Sequence, residues 1–208
     1  MTNKIRNRYN RIARVYDLIE TPREILFSGI RENLLQEAKG KTLEVGIGTG
    51  RNIPFYPKSI ELVGIDFSER MVEIARRKAK ENPRVQIELM DAEKMDFEDN
   101  TFDTVVTSCV FCSVPNPVAG LKEIRRVCNN GGKIIMLEHV RSQKKVIGEI
   151  MDTLNFIPLH LYGANINRQT YNNLLKAGFK PDDIRVEDLW LDILKWVRIS
   201  NHKSKNRG

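Results

Sequence analysis

The sequence predicts an α/β fold, with a mainly parallel sheet of seven strands and helices on both of its faces. Short apolar runs alternate with segments of helical periodicity at the spacing of βα units, a pattern typical of parallel sheets. Three alternating glycines follow the first apolar run directly, as in the first turn of sheets that bind nucleotide-like cofactors. Five strands are therefore expected near residues 41–46, 60–66, 84–90, 102–107 and 132–138, and two more near the end of the chain, one of them at about 191–199.

The N-terminal segment predicts two helices. Between Tyr9 and Ile19 the apolar residues fall at spacings of three and four, and most arginines occupy the other positions, which indicates a basic amphipathic helix. A second helix is expected over about residues 22–39, with Gly40 as its C-terminal cap.

Later helices are predicted at 68–80, at 117–127, within 144–162 and from Asn167 to Ala177, where Gly178 would end the last of them. The apolar stretch NFIPLHLY at 155–162 is expected to form a lid over an acceptor. The length of 208 residues suits a single domain. Its expected parts are N-terminal helices and lid at 1–40, a cofactor-binding core at 41–140, an acceptor-lid insertion at 141–180, and final strands with a basic tail at 181–208.

The positive charge is concentrated at the two ends. The net charge is +7, yet residues 1–16 and 195–208 each carry five basic residues and no acid, so the middle of the chain sums to 7 − 10, or −3. The body is therefore not a basic nucleic-acid surface, and we expect no nucleic-acid partner. The basic ends could hold the protein near anionic lipid or nucleic acid, or could simply keep it soluble.

Cysteine content and hydropathy indicate a cytoplasmic protein. The three cysteines do not have the spacing of a disulfide framework, which suits a reducing compartment. No apolar run reaches the 18 or so residues that span a bilayer. Peripheral contact with an anionic membrane stays open as an alternative. The oligomeric state is not predicted.

The glycine turn excludes one common cofactor. The dinucleotide fingerprint G-x-G-x-x-G, counted from Gly46, requires a third glycine at position 51, which is Arg51. The pattern present instead is E-x-G-x-G-x-G, formed by Glu44, Gly46, Gly48 and Gly50. This pattern resembles motif I of class I S-adenosylmethionine-dependent methyltransferases.

Two acidic residues extend the resemblance. Asp66 ends the second strand, where a carboxylate accepts hydrogen bonds from ribose hydroxyls. Asp91 and Ala92 end the third strand, where the family binds adenine through an acidic side chain and the following backbone N–H. Taken singly, Asp66 could be a helix cap and Asp91 a solvated loop acid. Their joint placement favours the cofactor site.

Further segments are similar to a narrower group. These segments are YNRIARVYD at 9–17, GTGRNIPFYP at 48–57, VFCSVPNP at 110–117, LEHVRS at 137–142 and YGANINRQT at 162–170. Together they resemble bacterial soluble phospholipid N-methyltransferases, methyltransferase-like thiol S-methyltransferases and, more distantly, quinone C-methyltransferases. In the family turn "R-V-L-x-P-G-G" this chain has Asn130 in place of proline, which affects a turn and not the chemistry.

The resemblance implies a Rossmann-like class I methyltransferase fold with an N-terminal helical lid, and S-adenosylmethionine as cofactor. The favoured acceptor is a phospholipid head group of the phosphatidylethanolamine type, and a thiol or a quinone ring is the alternative. The implied cofactor-binding residues are Tyr9, Tyr16, Glu44, Gly46, Gly48, Gly50, Asn52, Asp66, Phe67, Met71, Asp91, Ala92, Ser108 and Cys109.

Methyl transfer from a sulfonium is an in-line displacement, which positioning and exclusion of water accelerate without a metal or a covalent nucleophile. Tyr9 and Tyr16 are candidates to stabilise the sulfonium by cation–π contact, or they simply anchor the helix. His139 is the candidate general base, or it is structural. Glu138 is an alternative candidate base, and His160, in the predicted lid, is a candidate for contact with the acceptor.

Other classes of function are weighed against this one. Cys109 and Cys112 form a C-x-x-C pair, but no second ligand pair accompanies it, so we expect no metal and place these cysteines in the cavity wall. A base N-methyltransferase would carry a proline pair in the turn at 108–111, where this chain has Ser-Cys-Val-Phe. A cofactor-binding protein without catalysis remains the third alternative.

Overall fold

The computed structural model describes residues 2–156, 164–190 and 192–203. Within these ranges the strands are Lys41–Val45 (β1), Glu61–Asp66 (β2), Val85–Leu89 (β3), Phe102–Ser108 (β4), Cys128–His139 (β5), Ile184–Trp190 (β6) and Leu194–Ser200 (β7). The α-helices are Thr2–Leu35 (α1), Glu69–Ala79 (α2), Pro117–Val127 (α3), Lys145–Leu154 (α4) and Thr170–Lys176 (α5). Short 3₁₀ helices cover Ile53–Phe55 and Pro181–Asp183.

The seven strands form one sheet in the order β3-β2-β1-β4-β5-β7-β6. The first five strands in this order are parallel, and β7 pairs antiparallel with both β5 and β6. Chain order reverses between β1 and β4, and at such a switch point the loops beyond the carboxyl ends of the strands diverge and leave a crevice. The predicted α/β fold with a mainly parallel seven-stranded sheet is confirmed.

Side-chain alternation along the strands separates two cores. On β5, Ile134 and Met136 face a cluster that includes Leu121 of α3 and Leu174 of α5. The intervening Ile135 and Leu137 face the opposite cluster, which contains Leu34 and Leu35 at the end of α1. Helices therefore cover both faces of the sheet, as the sequence predicts. All these side chains are almost completely buried.

The N-terminal segment differs from the prediction of two helices. It forms one helix of 34 residues that continues through Pro22. A proline in a helix removes one backbone hydrogen bond and costs about 3 kcal/mol. Both halves of α1 dock on the same body, since Asp17 bonds to the glycine loop and Leu34 is buried in the core. Tertiary contacts therefore outweigh the local preference for a break.

Three smaller predictions also need correction. Helix α1 ends at Leu35, so Gly40 does not cap it; with a φ of +63° this glycine turns the chain into β1. Gln169, not Asn167, precedes the first residue of α5, because the Asn167 amide instead donates to Asp152. Strand β5 begins at Cys128, and the predicted glycine turn lies within it as a register shift against β4.

Part of the predicted acceptor lid lies outside the described residues. The described portion is α4, which ends at Leu154, together with residues 155–156. His160 falls in the range 157–163, and the start of the predicted strand at 191 is likewise not described.

Candidate active site

A cleft opens at the switch point between β1 and β4 and encloses about 720 Å³ of open space. Loops that follow β1, β2, β3 and β4 form its walls, and α1 covers it. The lining residues are Tyr9, Tyr16, Val45, Gly46, Gly48, Ile65, Asp66, Phe67, Met71, Met90, Asp91, Ala92, Ser108, Cys109, Val110, Ser113, Val114 and Pro115.

The glycine loop after β1 has a conformation that excludes side chains. Gly46 and Gly48 have φ values of +71° and +56°, which side chains disfavour. A Cβ on Gly46 would lie 2.5 Å from a methyl group of Val110, so the loop after β4 could not approach. Gly50 serves packing rather than the cleft, since a Cβ there would lie 3.2 Å from the Ala75 backbone of α2.

Asp66 joins the glycine loop to the start of α2. Its carboxylate accepts hydrogen bonds from the backbone N–H groups of Gly48 (3.0 Å) and Ser68 (2.9 Å). Ser68, and not Asp66, is the N-cap of α2. Burial raises the pKa of Asp66 to about 6, although these backbone bonds favour the ionised form. The carboxylate also lines the cleft, so it has acceptor capacity to offer to a ligand hydroxyl.

A second, polar cavity of about 390 Å³ adjoins the cleft and shares Tyr16, Gly46, Gly48 and Ser108 with it. Glu44 lies in its wall and accepts hydrogen bonds from the Asn52 amide (2.5 Å) and the Tyr56 hydroxyl (3.1 Å). Burial raises the pKa of Glu44 to about 7, and those two bonds limit the rise. Arg31 and Arg51 also line this cavity, which makes it suitable for a carboxylate.

Two tyrosines of α1 roof the cleft. The Tyr9 hydroxyl forms a 2.7 Å hydrogen bond with the Ser113 hydroxyl, and its ring lies edge-on to Phe67 with centroids 5.8 Å apart. The Tyr16 ring centroid is 6.4 Å from that of Tyr9. Burial raises the pKa of Tyr9 well above its ordinary value, so the phenol is neutral at physiological pH. The roof is therefore aromatic and uncharged.

Polar contacts fasten α1 at two further points. Asp17 accepts hydrogen bonds from the hydroxyl of Thr49 in the glycine loop (2.5 Å) and from Lys78 of α2 (2.7 Å). Burial alone would raise the pKa of Asp17, but the Lys78 and Thr49 bonds outweigh it and lower the pKa. Nearer the N-terminus, Asn10 accepts from the Ser68 hydroxyl at 2.6 Å. Helix α1 is thus tied to the glycine loop after β1 and to the loop after β2, both of which carry predicted cofactor ligands.

The loop after β4, residues 108–115, is held in place by a buried carboxylate. Glu138 of β5 accepts hydrogen bonds from the Thr107 hydroxyl (2.8 Å) and from the N–H groups of Val110 (3.3 Å) and Phe111 (3.2 Å). Burial raises the pKa of Glu138 to about 7 against these bonds. Cys109 has a φ of +56°, which is uncommon for a residue with a side chain and matches strain at a functional loop.

Residues that follow the predicted acceptor lid hold the same loop from the other side through hydrogen bonds. The Asn165 backbone N–H donates to the Cys112 carbonyl oxygen at 2.8 Å, and the Arg168 guanidinium donates to the Val114 carbonyl oxygen at 2.8 Å. The acceptor side of the cleft is thus supported by β5 and by the segment at 164–168.

The proposed bases lie behind the wall of the cleft. His139 does not line the cleft, and its Nδ1 lies 3.6 Å from Cys109 Sγ, which does. Glu138 is completely buried, and its hydrogen bonds go to the loop, so the structure gives it a positioning role. The assignment of His139 as the base stays a prediction.

Most of the predicted site residues converge on the cleft. Those that line it are Tyr9, Tyr16, Gly46, Gly48, Asp66, Phe67, Met71, Asp91, Ala92, Ser108 and Cys109. Glu44 and Asn52 lie instead in the adjoining polar cavity. Their roles as cofactor ligands stay predictions, and so do those of the residues in the cleft.

Several lining residues were missed by sequence reasoning. They are Val45, Ile65, Met90, Val110, Ser113, Val114 and Pro115. The strand-end residues Val45, Ile65 and Met90 precede predicted ligands directly, so their positions at strand ends were a usable signal. Ser113 has no such signal, because its contact with Tyr9 joins residues 104 positions apart.

The C-x-x-C pair occupies the loop after β4. Cys109 lines the cleft, whereas Cys112 is buried with its Sγ 3.2 Å from the Cys109 carbonyl oxygen. In the part of the chain that the structure describes, no three His, Cys, Asp or Glu side chains converge as metal ligands would.

The fold and the cleft define a class of protein. A glycine loop at the switch point, a carboxylate at the end of β2 and an acidic turn after β3 are the parts of an α/β site for a nucleoside-containing cofactor.

Comparison with known proteins identifies the family. A family model described as a methyltransferase domain matches residues 43–136. A phosphatidylethanolamine N-methyltransferase of Cereibacter sphaeroides is 38% identical over 118 residues, which are 55% of this chain and 58% of that enzyme. The thiol S-methyltransferase TMT1B of Mus musculus is 33% identical over 197 residues, which cover 91% of this chain and 79% of the relative.

A solved structure shows the same fold with the cofactor bound. Phosphoethanolamine N-methyltransferase 2 of Haemonchus contortus, in complex with S-adenosyl-L-methionine, superposes with a TM-score of 0.62 and 19% identity, over 77% of this chain and 38% of that chain. The chain belongs to the S-adenosylmethionine-dependent methyltransferases, and S-adenosylmethionine is its cofactor.

Proposed function

We propose that this enzyme methylates the head-group nitrogen of a phospholipid of the phosphatidylethanolamine type, at a membrane surface. The observation that carries the proposal is an exposed apolar stripe on α4, formed by Val146, Ile150 and Leu154 at spacings of four residues. These side chains are 70%, 51% and 45% exposed. A helix with one apolar face turned to solvent is suited to lie at a lipid interface.

The stripe belongs to the acceptor side of the molecule. Helix α4 follows the end of β5, and Asn155 just beyond it accepts a hydrogen bond from the Ile166 N–H. The adjoining Asn165 in turn holds the loop after β4 through the Cys112 carbonyl oxygen. A lipid that enters along α4 would therefore meet the cleft at the loop that contains Cys109.

Helix α1 offers a second contact of the same kind. Its solvent-exposed residues include Leu18, 76% exposed, and the basic Arg11 and Arg14. Cationic side chains next to exposed apolar ones favour a membrane that carries anionic lipids. No described helix combines the length and apolar character needed to cross a bilayer, so the proposed contact is with the surface.

Residues of the two cavities would hold S-adenosylmethionine in three parts. Asp66 would accept the ribose hydroxyls, and Asp91 with Ala92 would contact the adenine. In the polar cavity, Arg31 and Arg51 would face the carboxylate of the methionyl part. The bound cofactor supplies a methyl group on a positively charged sulfur.

Positioning and exclusion of water carry the reaction. For an in-line displacement, the loop at 108–115 and the roof formed by Tyr9 and Tyr16 would hold the acceptor nitrogen against the methyl group of the bound cofactor and exclude water. Since Tyr9 is a neutral phenol, its ring would face the sulfonium without adding a charge, and the phenol would not serve as an anionic base.

One observation favours a second candidate, thiol S-methylation. The thiol S-methyltransferase relative matches 91% of this chain, whereas the phospholipid enzyme matches 55%. The phospholipid version depends on the apolar stripe of α4, and the thiol version does not.

A comparison of acceptors tests the proposal. The protein would be incubated with methyl-labelled S-adenosylmethionine and, separately, with phosphatidylethanolamine vesicles that contain an anionic lipid, with small thiols and with a demethylated quinone. We expect label in the vesicle lipid. Label confined to the thiol would establish the second candidate and refute the first, and label confined to the quinone would refute both.

A variant pair tests the role of the membrane contact. Replacing Val146 and Ile150 with serine should lower activity on vesicles and vesicle binding, and should leave cofactor affinity unchanged. Val186→Ser is the matched control, since it alters an exposed valine of β6, 43% exposed. If the α4 variant binds vesicles as well as the control does, the surface assignment is wrong.

A further inference from the structure

An amine acceptor has to lose a proton before it can receive a methyl group, and the cleft offers few groups that could take this proton. An amine is mostly an ammonium ion at neutral pH, and an ammonium nitrogen has no lone pair for attack. Among the described residues that line the cleft, those that can titrate are Tyr9, Tyr16, Asp66, Asp91 and Cys109.

Four of these five groups are unsuited to take the proton. Asp66 ends β2 and Asp91 follows β3, and both are the proposed ligands of the cofactor's ribose and adenine. Tyr9 and Tyr16 are phenols, which hold their proton at neutral pH, and burial raises the pKa of Tyr9 further. Cys109 remains, and it lies in the loop after β4, on the acceptor side of the cleft.

The loop holds Cys109 in a fixed position. Its backbone N–H donates to the Leu137 carbonyl oxygen at 2.7 Å, and its own carbonyl oxygen accepts from Cys112 Sγ at 3.2 Å. Both polar groups of its backbone are therefore engaged within the protein. The residue is partly exposed and lines the cleft, so its sulfur is the polar atom that it can offer to an acceptor.

His139 lies behind this sulfur. Its Nδ1 is 3.6 Å from Cys109 Sγ, a hydrogen-bond distance for the larger sulfur atom. His139 ends β5 and does not line the cleft, but it is partly exposed, so a proton on its ring can exchange with water. A thiol that donates to an imidazole nitrogen still has lone pairs on sulfur that accept a proton. Cys109 and His139 thus form a path from the cleft towards solvent.

We propose that Cys109 is a catalytic residue that takes the proton of the acceptor and passes its own proton to His139. An N–H bond of the acceptor breaks and leaves its electron pair on nitrogen, while the proton bonds to Cys109 Sγ. The original thiol proton moves from Sγ to Nδ1 of His139, in the tautomer that carries its proton on Nε2. An ammonium ion and a neutral imidazole thus become a neutral amine and an imidazolium, which returns its proton to solvent.

This inference rests on the proposed function, because it supplies the base that an amine acceptor requires. It also gives His139 a route to the acceptor that its place behind the wall of the cleft denies it. A thiol acceptor would lose its S–H proton along the same path.

Other charged and titratable groups surround the Cys109–His139 pair. They are Glu138 of β5, Cys112 of the same loop, Tyr9 of α1, Arg168 of the segment that holds the loop, and Lys195 of β7 with its partner Asp188. Burial raises the pKa of Glu138 to about 7, so this residue titrates in the range of the assay. All these groups stay in place in variants of the pair. The ratio of variant to wild-type rate at each pH therefore cancels their contribution.

The pH profile of methyl transfer to phosphatidylethanolamine vesicles, at saturating S-adenosylmethionine, tests the proton path. Cys109→Ala should lower kcat about a hundredfold at pH 7, since general acid–base catalysis contributes roughly 10²–10⁴-fold. The loss should shrink to severalfold near pH 10, where much of the amine is already neutral. Cys109→Ser keeps a hydroxyl that can pass on a proton and should recover part of the rate. Cys112→Ala is the matched control: it removes a thiol that does not line the cleft and should keep the wild-type profile.

Alkylation tests the pair without methyl transfer. Iodoacetamide should modify Cys109 in the wild type, as located by mass spectrometry of peptides. His139→Gln should slow this reaction at pH 7 by about fivefold or more, because the thiolate is the nucleophile and the imidazole takes its proton. His202→Gln is the matched control, since His202 is exposed and pairs with Asp183; it should leave the rate unchanged.

The two experiments separate this inference from the proposed function. An equal loss in Cys109→Ala at pH 7 and pH 10, or equal alkylation in the His139 and His202 variants, overturns the proton path, and methylated phosphatidylethanolamine would then support the proposed function alone. If Cys109→Ala does not fold, the alkylation rates decide. If the wild type methylates a small thiol and never the lipid, a loss in Cys109→Ala that shrinks with pH on that thiol establishes the path and refutes the proposed acceptor.

Discussion

Replacing Asp66 with asparagine tests the cofactor site most sharply. The substitution preserves the shape of the side chain but removes its charge and one acceptor oxygen. In the wild type both carboxylate oxygens are engaged, one by the Gly48 N–H and the other by the Ser68 N–H. An asparagine has a single acceptor oxygen, so its NH₂ group would face one of these N–H donors.

The expected loss of affinity follows from the bonds that disappear. Hydrogen bonds to a charged group contribute roughly 1.5–3 kcal/mol each. Two ribose hydroxyls would lose a charged acceptor, but an amide oxygen would replace part of one bond. We therefore expect cofactor binding to weaken by about 3 kcal/mol, which is roughly 150-fold.

Calorimetric titration with S-adenosylhomocysteine measures this change. Glu61→Gln is the matched control, because it removes a carboxylate charge from an exposed residue at the other end of the same strand. Thermal melting of both variants shows whether the fold is retained. A folded Asp66→Asn protein that binds within threefold of the control would refute the assignment of Asp66 to the ribose.

The remaining predictions concern the pH dependence of cofactor binding, helix α1 and the loop after β4. Because the pKa of Asp66 is about 6 and the ionised form accepts the ribose hydroxyls, cofactor affinity measured by titration should be about tenfold lower at pH 5 than at pH 7. Asp17→Ala should speed cofactor release about fivefold in stopped-flow displacement, since the Thr49 and Lys78 bonds are lost; Arg14→Ala, on the same helix, should not. The pKa of Glu138 rises from 4.5 to about 7 on folding, so its contribution to stability is present below pH 4.5 and is lost as pH rises through 7. The free energy of unfolding of the wild type, measured with denaturant, should therefore decline between pH 4.5 and 8. Glu138 should account for a part of this decline on the order of 3 kcal/mol, and Glu138→Gln should abolish that part. An equally steep decline in that variant would contradict this account.

The parts of the site that sequence reasoning predicted are local in the chain. A strand, three alternating glycines and a carboxylate at the next strand end each leave a pattern within about twenty residues. Since the parallel sheet brings the carboxyl ends of its strands to one edge, these local patterns are enough to assemble Gly46, Asp66 and Asp91 around one cleft.

The parts that were missed depend on distant partners. Glu138 was considered as a base, but its role in positioning the loop is visible only when β5 lies beside β4. The continuity of α1 through Pro22 follows from docking at Asp17 and Leu34, which no local preference encodes. In the sequence, Arg168 is one of 34 lysine and arginine residues. Only the folded structure distinguishes it, because there it is partly buried and donates to the Val114 carbonyl oxygen.

The contacts of Asp17 have a thermodynamic consequence. One carboxylate joins the roof helix to Thr49 in the glycine loop and to Lys78 of α2, so the loop that faces the cofactor and the helix that faces solvent share a bond network. If cofactor binding and a partner of α1 both act on these bonds, the partner changes cofactor affinity, and the cofactor changes the affinity for that partner by the same factor.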